Sequence, residues 1–334
     1  MAVSTWYKPR TCIAQAGSPR GTGLFCFQRC SAKKHSGSPP LLEAYMTKGA
    51  ATAIGFCAVL LWSLLALLTV GSAPVPPFQL SAMSFAMAGV IGLVFSVRRG
   101  RLGETLGSIS LPAWLIGVGG LFGYHALYFA ALRNAPAAEA GLIAYLWPLL
   151  IVLFSGLLPG ERLSGLHILG AMVAFLGAAL IVTRGGGGFE SSHVFGYLLA
   201  AACALTWSGY SVLSRFFSHV PTAAVTFFCL ASAVLSAVAH LAFEQTVIPS
   251  SGIAWVSIVG LGLGPVGFAF YLWDIGVKNG DIQLLGTASY AAPLLSTFVL
   301  IYAGFAQATV TLLVAAGLIA AGAGLAALGS RNSS

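Results

Sequence analysis

Ten stretches of the sequence are each long and apolar enough to cross a lipid bilayer as an α-helix. A hydrocarbon layer about 30 Å thick requires about 20 apolar residues per crossing helix. The stretches are too long and too continuously apolar to be the alternating strands of an outer-membrane barrel. The sequence therefore predicts an all-α integral membrane protein with ten transmembrane helices. The predicted spans are residues 49–70, 78–97, 111–132, 136–158, 164–183, 194–214, 222–242, 252–274, 281–303 and 308–329.

The composition agrees with a membrane location. Hydrophobic residues make up 58% of the chain and charged residues only 7%, and the mean hydropathy is +0.91. A chain with so few polar residues cannot cover a core of this size with a water-compatible surface. The isoelectric point of about 9.4 owes much to the first 45 residues and to loops that face anionic lipid. We therefore expect membrane lipids, and not nucleic acid, as partners.

Residues 1–47 do not belong to the predicted bundle. Six basic residues in this segment oppose a single acid, Glu43, and the longest apolar run covers only residues 24–27. That run is too short for the hydrophobic region of a signal peptide. An acid-poor leader rich in arginine and serine could be an organellar transit peptide, but it could equally be upstream sequence read as protein. We expect the second, with the leader disordered or not translated and synthesis beginning at Met46.

Lysine and arginine residues are distributed unequally between the two sides of the predicted bundle. If the chain begins in the cytoplasm, the cytoplasmic side receives eight of them, while the outer side receives only Arg133 and Arg184. Cytoplasmic loops of membrane proteins carry the excess of lysine and arginine. We therefore expect both termini in the cytoplasm. The eight residues are Lys48, Arg98, Arg99, Arg101, Arg162, Arg215, Lys278 and Arg331.

The first half of the bundle recurs in the second half at a constant offset of 145 residues. A shared register of Trp-Ser, Asn and Tyr-x-x-Pro is not what composition alone supplies, and it indicates a duplicated unit. Each unit holds five predicted helices, an odd number, so the second unit enters the membrane from the opposite side. We expect two inverted five-helix repeats, residues 48–184 and 194–330, with a glycine-rich connector at 185–193. The matching pairs include Trp62 and Trp207, Ser63 and Ser208, Asn134 and Asn279, Tyr145 and Tyr290, and Pro148 and Pro293.

Inverted repeats of this kind are typical of secondary transporters. Two similar halves in opposite orientations can exchange conformations and expose a site near the membrane midplane to each side in turn. The alternative is a duplication that only builds a stable bundle. The sequence favours a transporter.

The fourth predicted helix and its surroundings resemble a known family. The stretch begins at Asn134 and continues through Pro136, Glu139 and Gly141 into Tyr-Leu-Trp-Pro at 145–148. With the five-plus-five arrangement and the repeated Trp-Ser pair, residues 47–330 resemble the EamA type of the drug/metabolite transporter superfamily. The segments at 124–128 and 145–148 are similar to those of its aromatic amino acid exporters. The resemblance implies a bacterial inner-membrane exporter of aromatic and other neutral amino acids, with a central cavity lined by both halves.

Aromatic residues are candidates for the wall of that cavity. Tyr124 and Tyr128 are four residues apart and share one face of the third helix, with His125 turned about 100° away. Rings would contact an apolar or aromatic substrate and hydroxyls its polar end. Alternatively, these tyrosines are core residues bonded to neighbouring helices, and Trp62 and Trp207 pack against glycines. The other candidates are Tyr145, Trp147, Trp207, Ser208, Tyr210, Ser289 and Tyr290.

Two equivalent prolines are the candidate hinges. Pro148 cannot donate to the carbonyl of Ala144, so the fourth helix is predicted to bend there, and Pro293 is predicted to bend the ninth. The freed carbonyl binds either a substrate ammonium group or a nearby hydroxyl or water. Tyr145 and Trp147 would point about 200° apart on a regular helix. Only a bend or local unwinding lets both face one cavity.

Ionisable residues are scarce inside the predicted spans. Glu139, Asp274 and Asp281 lie near helix ends, and Lys278 is one turn from Asp274, where a local ion pair is the ordinary explanation. The absence of a central acid favours facilitated export, and His125 is the remaining group that could support proton coupling. No catalytic or metal-ligand constellation converges. We expect no enzyme activity, metal or cofactor, an amino acid as substrate and no obligate protein partner; the alternative is a permease for another small metabolite, such as a sugar derivative or drug.

Overall fold

The computed structural model describes residues 46–183 and 189–333, so the predicted leader up to residue 45 and part of the connector lie outside the described residues. The described residues form helices and no β-strand. Ten helical spans are long and apolar enough to cross a membrane, which confirms the predicted fold class. Numbered 1 to 10 below, the spans are Lys48–Gly71, Pro77–Arg98, Leu111–Asn134, Ala137–Ser155, Gly165–Val182, Ser191–Phe217, Thr222–Phe243, Gly252–Asn279, Ile282–Tyr302 and Val310–Arg331.

Several spans are divided into shorter helices. Spans 1, 4 and 9 are each interrupted by a pair of turn residues, and spans 3 and 8 each contain a π-helical segment. The α-helices are α1 (Lys48–Trp62), α2 (Leu65–Gly71), α3 (Pro77–Arg98), α4 (Leu102–Ser108), α5 (Leu111–Val118), α6 (Tyr124–Asn134), α7 (Ala137–Ala144), α8 (Trp147–Ser155), α9 (Gly165–Val182), α10 (Val194–Leu213), α11 (Val225–Phe243), α12 (Gly252–Leu263), α13 (Ala269–Asn279), α14 (Ile282–Ala288), α15 (Ala291–Tyr302) and α16 (Val310–Ser333).

Most of these interruptions follow the 145-residue repeat. The π segments Gly119–Gly123 and Gly264–Phe268 occupy equivalent positions. Spans 4 and 9 are broken at residues 145–146 and 289–290, which differ from exact equivalence by one residue. Span 1 has no counterpart: it is broken at 63–64, whereas α10 runs unbroken through the equivalent positions. Because π segments frequently occur at functional sites, the middle of spans 3 and 8 is a candidate location for one.

The most extensive helix contacts join one repeat to the other. α1 packs on α13, α3 on α11, α6 on α10 and α9 on α16. Glycines permit close approach: a Cβ added to Gly55 would lie 2.8 Å from the Cα of Gly276, and one added to Gly177 would lie 2.8 Å from the carbonyl oxygen of Ala315. In lipid there is no hydrophobic driving force for helices to associate, so close van der Waals packing stabilises the contacts between them. The two repeats therefore interlock around a common centre.

Polar contacts tie the repeats together at both ends of the bundle. At one end, the buried carboxylate of Glu244 accepts a hydrogen bond of 3.0 Å from the backbone N–H of Phe78, at the first turn of α3. A carboxylate stabilises a helix N-terminus because N–H groups there have no partner within the helix. At the opposite end, Arg215 pairs with Glu161 and donates to the carbonyl oxygen of Val277 at 2.6 Å.

Candidate functional site

A cavity of about 100 Å³ lies between the two repeats, beside the interruptions of spans 1, 3, 4 and 8. One buried water needs about 10–15 Å³, so the cavity has room for several. Spans 1, 3 and 4 of the first repeat and spans 6, 8 and 9 of the second contribute to its wall. The lining residues are Trp62, Leu65, Tyr124, His125, Tyr145, Trp147, Trp207, Pro265, Val266, Phe270 and Ala292.

The lining reflects the internal repeat. Six of the lining residues form three pairs related by the 145-residue offset, so the cavity lies where equivalent parts of the two repeats meet. In inverted-repeat transporters the substrate site lies at this position. The pairs are Trp62 with Trp207, His125 with Phe270, and Trp147 with Ala292.

Four tryptophans pack together beside the cavity and are called the tryptophan cage below. Every pair of their rings is in contact, with centroids 5.0 to 6.3 Å apart and four of the six pairs edge to face, an arrangement favoured by aromatic quadrupoles. Trp62 Nε1 donates to the carbonyl oxygen of Pro265 at 3.1 Å. Three members line the cavity, while Trp273 is fully buried and donates to Ser211 Oγ at 3.0 Å. The members are Trp62, Trp147, Trp207 and Trp273.

Tyr124 and Tyr128 stack on one face of α6, in the geometry that their spacing predicts. Their ring centroids are 6.2 Å apart and their planes differ by 4°. Tyr124 lines the cavity, and its ring contacts that of Trp207 at 5.3 Å. Tyr128 is not part of the lining, and its ring stacks on that of Tyr124.

His125 presents a defined tautomer to the cavity. Its Nδ1 lies 2.7 Å from the carbonyl oxygen of Leu121, within the π segment that precedes α6. A carbonyl oxygen only accepts, so Nδ1 donates and carries the proton, and in the neutral ring Nε2 is a hydrogen-bond acceptor. The imidazole is held edge to face by Phe85 at 5.2 Å and by Phe270 at 6.3 Å.

Span 4 is broken, and not merely bent, at the point where a proline was expected to act. α7 ends at Ala144 and α8 begins at Trp147, with Pro148 in the first turn of α8, where a missing N–H costs no helical hydrogen bond. The break lets Tyr145 and Trp147 both line the cavity despite their spacing. The backbone N–H of Leu149 donates to the hydroxyl of Tyr290, in the other repeat, at 3.1 Å.

The structure places Tyr290 away from the cavity. Its side chain is fully buried, and its ring packs against Phe175 at 5.9 Å. The expected equivalence with Tyr145 fails because span 9 is broken one residue earlier than span 4, which turns the two tyrosines differently. The Tyr290 hydroxyl supports the break in span 4.

Three further candidates from the sequence also lie outside the lining. The buried hydroxyl of Ser208 donates to the carbonyl oxygen of Ala204 at 2.8 Å, and that of Ser289 donates to Leu285 at 2.8 Å. Such bonds to residue i−4 satisfy a serine inside its own helix. Tyr210 contacts the ring of Trp207 at 5.2 Å, but it faces a second, smaller cavity.

Sequence reasoning missed about half of the lining. The repeat register itself could have identified Trp62, Phe270 and Ala292, since each is the equivalent of a candidate in the other half. Pro265 and Val266 belong to the π segment of span 8, where the sequence Gly-Pro-Val-Gly at 264–267 is a signal of an interrupted helix that could have identified them. Leu65 reaches the cavity through the break in span 1.

Charged side chains lie at the ends of the spans and not in the lining. Lys278 Nζ is 2.9 Å from Asp274 Oδ2, the ion pair expected from their spacing, and both side chains are buried. Lys48 Nζ lies 3.7 Å from Asp281 Oδ2. The cavity therefore combines aromatic surface with neutral polar groups, the composition of a site for a largely apolar small molecule.

Comparisons with known proteins agree with this architecture. A model of the EamA-like transporter family matches residues 49–183 and again residues 194–328. The aromatic amino acid exporter YddG of Ancylobacter novellus is 53% identical over 86% of this chain and 100% of its own length. The aromatic amino acid exporter YddG of Escherichia coli is 26% identical over 75% of this chain and 88% of its own. A crystal structure of a protein with 52% identity has a TM-score of 0.81 and covers 85% of this chain and 100% of its own.

The two matches to one family model confirm the expected pair of repeats. They also confirm the expectation of a multi-pass membrane transporter and not an enzyme. The match covers most of the bundle, with one copy of the family model in each half. This chain belongs to the EamA-like transporter family.

Proposed function

We propose that this protein exports aromatic and other neutral amino acids across a bacterial inner membrane, with the cavity between the repeats as its substrate site. The observation that carries the proposal is the lining, in which both repeats supply aromatic rings and no Asp, Glu, Lys or Arg takes part. The name of the 53% identical relative as an aromatic amino acid exporter supports the same substrate class.

The rings of Trp147, Trp207 and Phe270 are the proposed contacts for the substrate side chain. Trp147 and Trp207 stand edge to face at 6.3 Å, and Phe270 lies 5.8 Å from Trp207. A substrate ring gains about 0.5–1.5 kcal/mol per favourable aromatic pair beyond the burial of its surface. An aliphatic side chain gains the burial alone. We therefore expect aromatic amino acids to be preferred over other neutral ones.

The neutral polar groups of the lining are the proposed contacts for the amino and carboxylate groups. His125 Nε2 can accept from the ammonium, and the hydroxyls of Tyr124 and Tyr145 can donate to the carboxylate. A zwitterion brings both charges and can be held by dipoles, whereas a cationic drug would lack a carboxylate counter-charge here. Tyr128 supports Tyr124, and we assign supporting roles to Ser208, Tyr210, Ser289 and Tyr290.

Alternating access between the two repeats is the proposed transport mechanism. The breaks in spans 4 and 9, at residues 145–146 and 289–290, lie just before Pro148 and Pro293, which we propose as the hinges. The excess of basic residues predicted for one side supports a cytoplasmic location of both termini. The lining holds no acid to exchange a proton against substrate, which supports facilitated export.

The proposal is tested by efflux from proteoliposomes that contain the full chain. Labelled phenylalanine, tyrosine, tryptophan, leucine and glutamate are loaded separately, with a sugar and an organic cation as further substrates. Rapid efflux of the three aromatic amino acids supports the proposal. Efflux of the sugar or cation alone would favour the alternative, a permease for another small metabolite.

Replacing Trp147 by alanine is expected to lower aromatic amino acid efflux at least about tenfold, because one aromatic contact to the substrate ring and the area buried against it are lost. Leucine efflux should fall less. Trp255→Ala is the matched control, since Trp255 is 46% exposed and lies outside the lining. Equal rates of aromatic amino acid efflux for Trp147→Ala and the control, in protein that remains folded, would show that Trp147 does not contact the substrate.

A further inference from the structure

A second cavity, of about 20 Å³, lies beyond the tryptophan cage along α13. Pro265, Val266 and Phe270 of span 8 line the central cavity, Trp273 belongs to the cage, and Asp274 lines the smaller cavity. The small cavity therefore lies between the cage and the end of the bundle where Arg215 pairs with Glu161. Its volume exceeds the 10–15 Å³, roughly, that one buried water needs, and is too small for an amino acid.

One wall of this small cavity holds a buried hydroxyl that lacks a partner. Tyr210 is 3% exposed, lines the cavity, and its hydroxyl has no hydrogen-bond partner among the described protein atoms. Asp274, which is 2% exposed, lines the same cavity. An unpaired hydroxyl in a low-dielectric interior is costly, and polar cavities of this size are the usual sites of internal water.

The Asp274 carboxylate is already fixed by two protein contacts. Its Oδ2 accepts from Thr222 Oγ1 at 2.7 Å and pairs with Lys278 Nζ at 2.9 Å. Lys278 also donates to the carbonyl oxygen of Val220 at 2.9 Å. These contacts join the end of α13 to the loop after span 6 and to the first residue of span 7. A carboxylate has about four acceptor positions, so it can accept from one further donor.

The opposite end of the bundle has a different chemistry at the equivalent positions. At the 145-residue offset, Leu65 stands in place of Tyr210, Phe129 in place of Asp274, and Pro77 in place of Thr222. The hydroxyl, carboxylate and threonine of this end therefore have no polar counterpart at the equivalent positions, although Arg133, the equivalent of Lys278, pairs there with Glu244. Both ends carry polar contacts, but the ion pair between Lys278 and Asp274 is buried, whereas Arg133 in the pair at the other end is half exposed.

We propose that a water molecule binds in the small cavity and bridges the Tyr210 hydroxyl to the Asp274 carboxylate. Together with Thr222 and Lys278, this water completes a polar latch that holds one end of the bundle closed. The water site stands independently of the transported substrate, whereas its role as a latch rests on the proposed alternating access.

Tyr210→Phe tests the site, because it removes the hydroxyl and leaves the ring. If water bridges Tyr210 to Asp274, the variant loses a hydrogen bond and its melting temperature falls. Ser232→Ala and Ser236→Ala are matched controls: their buried hydroxyls also lack partners but line neither cavity, so their removal leaves the melting temperature unchanged or raises it. A melting temperature of Tyr210→Phe that behaves as the controls do would overturn the water site.

The latch is tested by the access of a thiol reagent to Ala113→Cys, which lines the small cavity, in protein whose native cysteines are replaced. Loss of one hydrogen bond present only in the closed state should raise the labelling rate of this cysteine about fivefold in Tyr210→Phe. Neither measurement needs substrate, so both remain decisive if the efflux assay finds no amino acid transport. An unchanged labelling rate would overturn the latch.

Discussion

Replacing Trp273 by alanine is expected to lower the free energy of unfolding by about 3–5 kcal/mol, the range for large aromatic residues removed from a packed core. Trp273 is completely buried, contacts the other three rings of the tryptophan cage, and donates to Ser211. Thermal unfolding of the purified protein in detergent measures the effect. Trp255→Ala, at an exposed position, should melt close to the unaltered protein.

A milder change at the same position, Trp273→Phe, distinguishes the packing role of Trp273 from the substrate contacts proposed for the cage tryptophans that line the cavity. Trp273 does not line the cavity, so Trp273→Phe, which keeps most of the packing, should retain the substrate preference of the unaltered protein. If Trp273→Ala melted at the same temperature as the unaltered protein, the packed cage described here would be wrong.

Replacing Asp274 by alanine is expected to cost about 3–5 kcal/mol as well, for an electrostatic reason. The change leaves the ammonium of Lys278 buried without its counter-charge, and uncompensated buried charges are strongly destabilising. Lys278 Nζ would keep only the carbonyl oxygen of Val220 as a partner among the contacts seen here. Thermal unfolding again provides the measurement.

The double variant Asp274→Leu with Lys278→Met is the control for this effect. Replacing both members of a buried ion pair by apolar residues of similar volume is often neutral or stabilising. We expect the double variant to recover most of the lost stability and to label more readily at the latched end. A double variant as unstable as Asp274→Ala alone would contradict a pairwise electrostatic origin.

The sequence was sufficient to predict the ten spans, because hydropathy and length determine which segments cross a membrane. The two repeats were visible because tryptophan and proline pairs keep one offset across five helices. The positions of the breaks were less accessible. Pro148 indicated a bend, but whether a helix bends or breaks depends on an external partner for the freed backbone, here the hydroxyl of Tyr290.

The cavity lining was predicted only in part, because the sequence does not determine how each helix is rotated about its axis. Tyr145 and Tyr290 are equivalent in sequence, yet a one-residue difference in the position of the break directs one to the cavity and the other to Phe175. The Ser208 hydroxyl donates a hydrogen bond to the carbonyl oxygen of Ala204 in its own helix, which the residue type alone does not predict. The sequence indicates only a packing role for Trp62, although its equivalent, Trp207, is a candidate for the cavity wall.

The central claim is that an aromatic amino acid occupies the cavity between the repeats, and substrate protection of a cysteine at Ala292→Cys tests it most directly. Ala292 lines the cavity opposite its equivalent, Trp147, and brings little bulk. Gln307→Cys, in an exposed loop, is the control, and native cysteines are replaced in both. Phenylalanine at ten times its dissociation constant should slow modification at position 292 about tenfold and leave position 307 unaffected. Equal modification rates at position 292 with and without phenylalanine, in protein that transports it, would contradict the account.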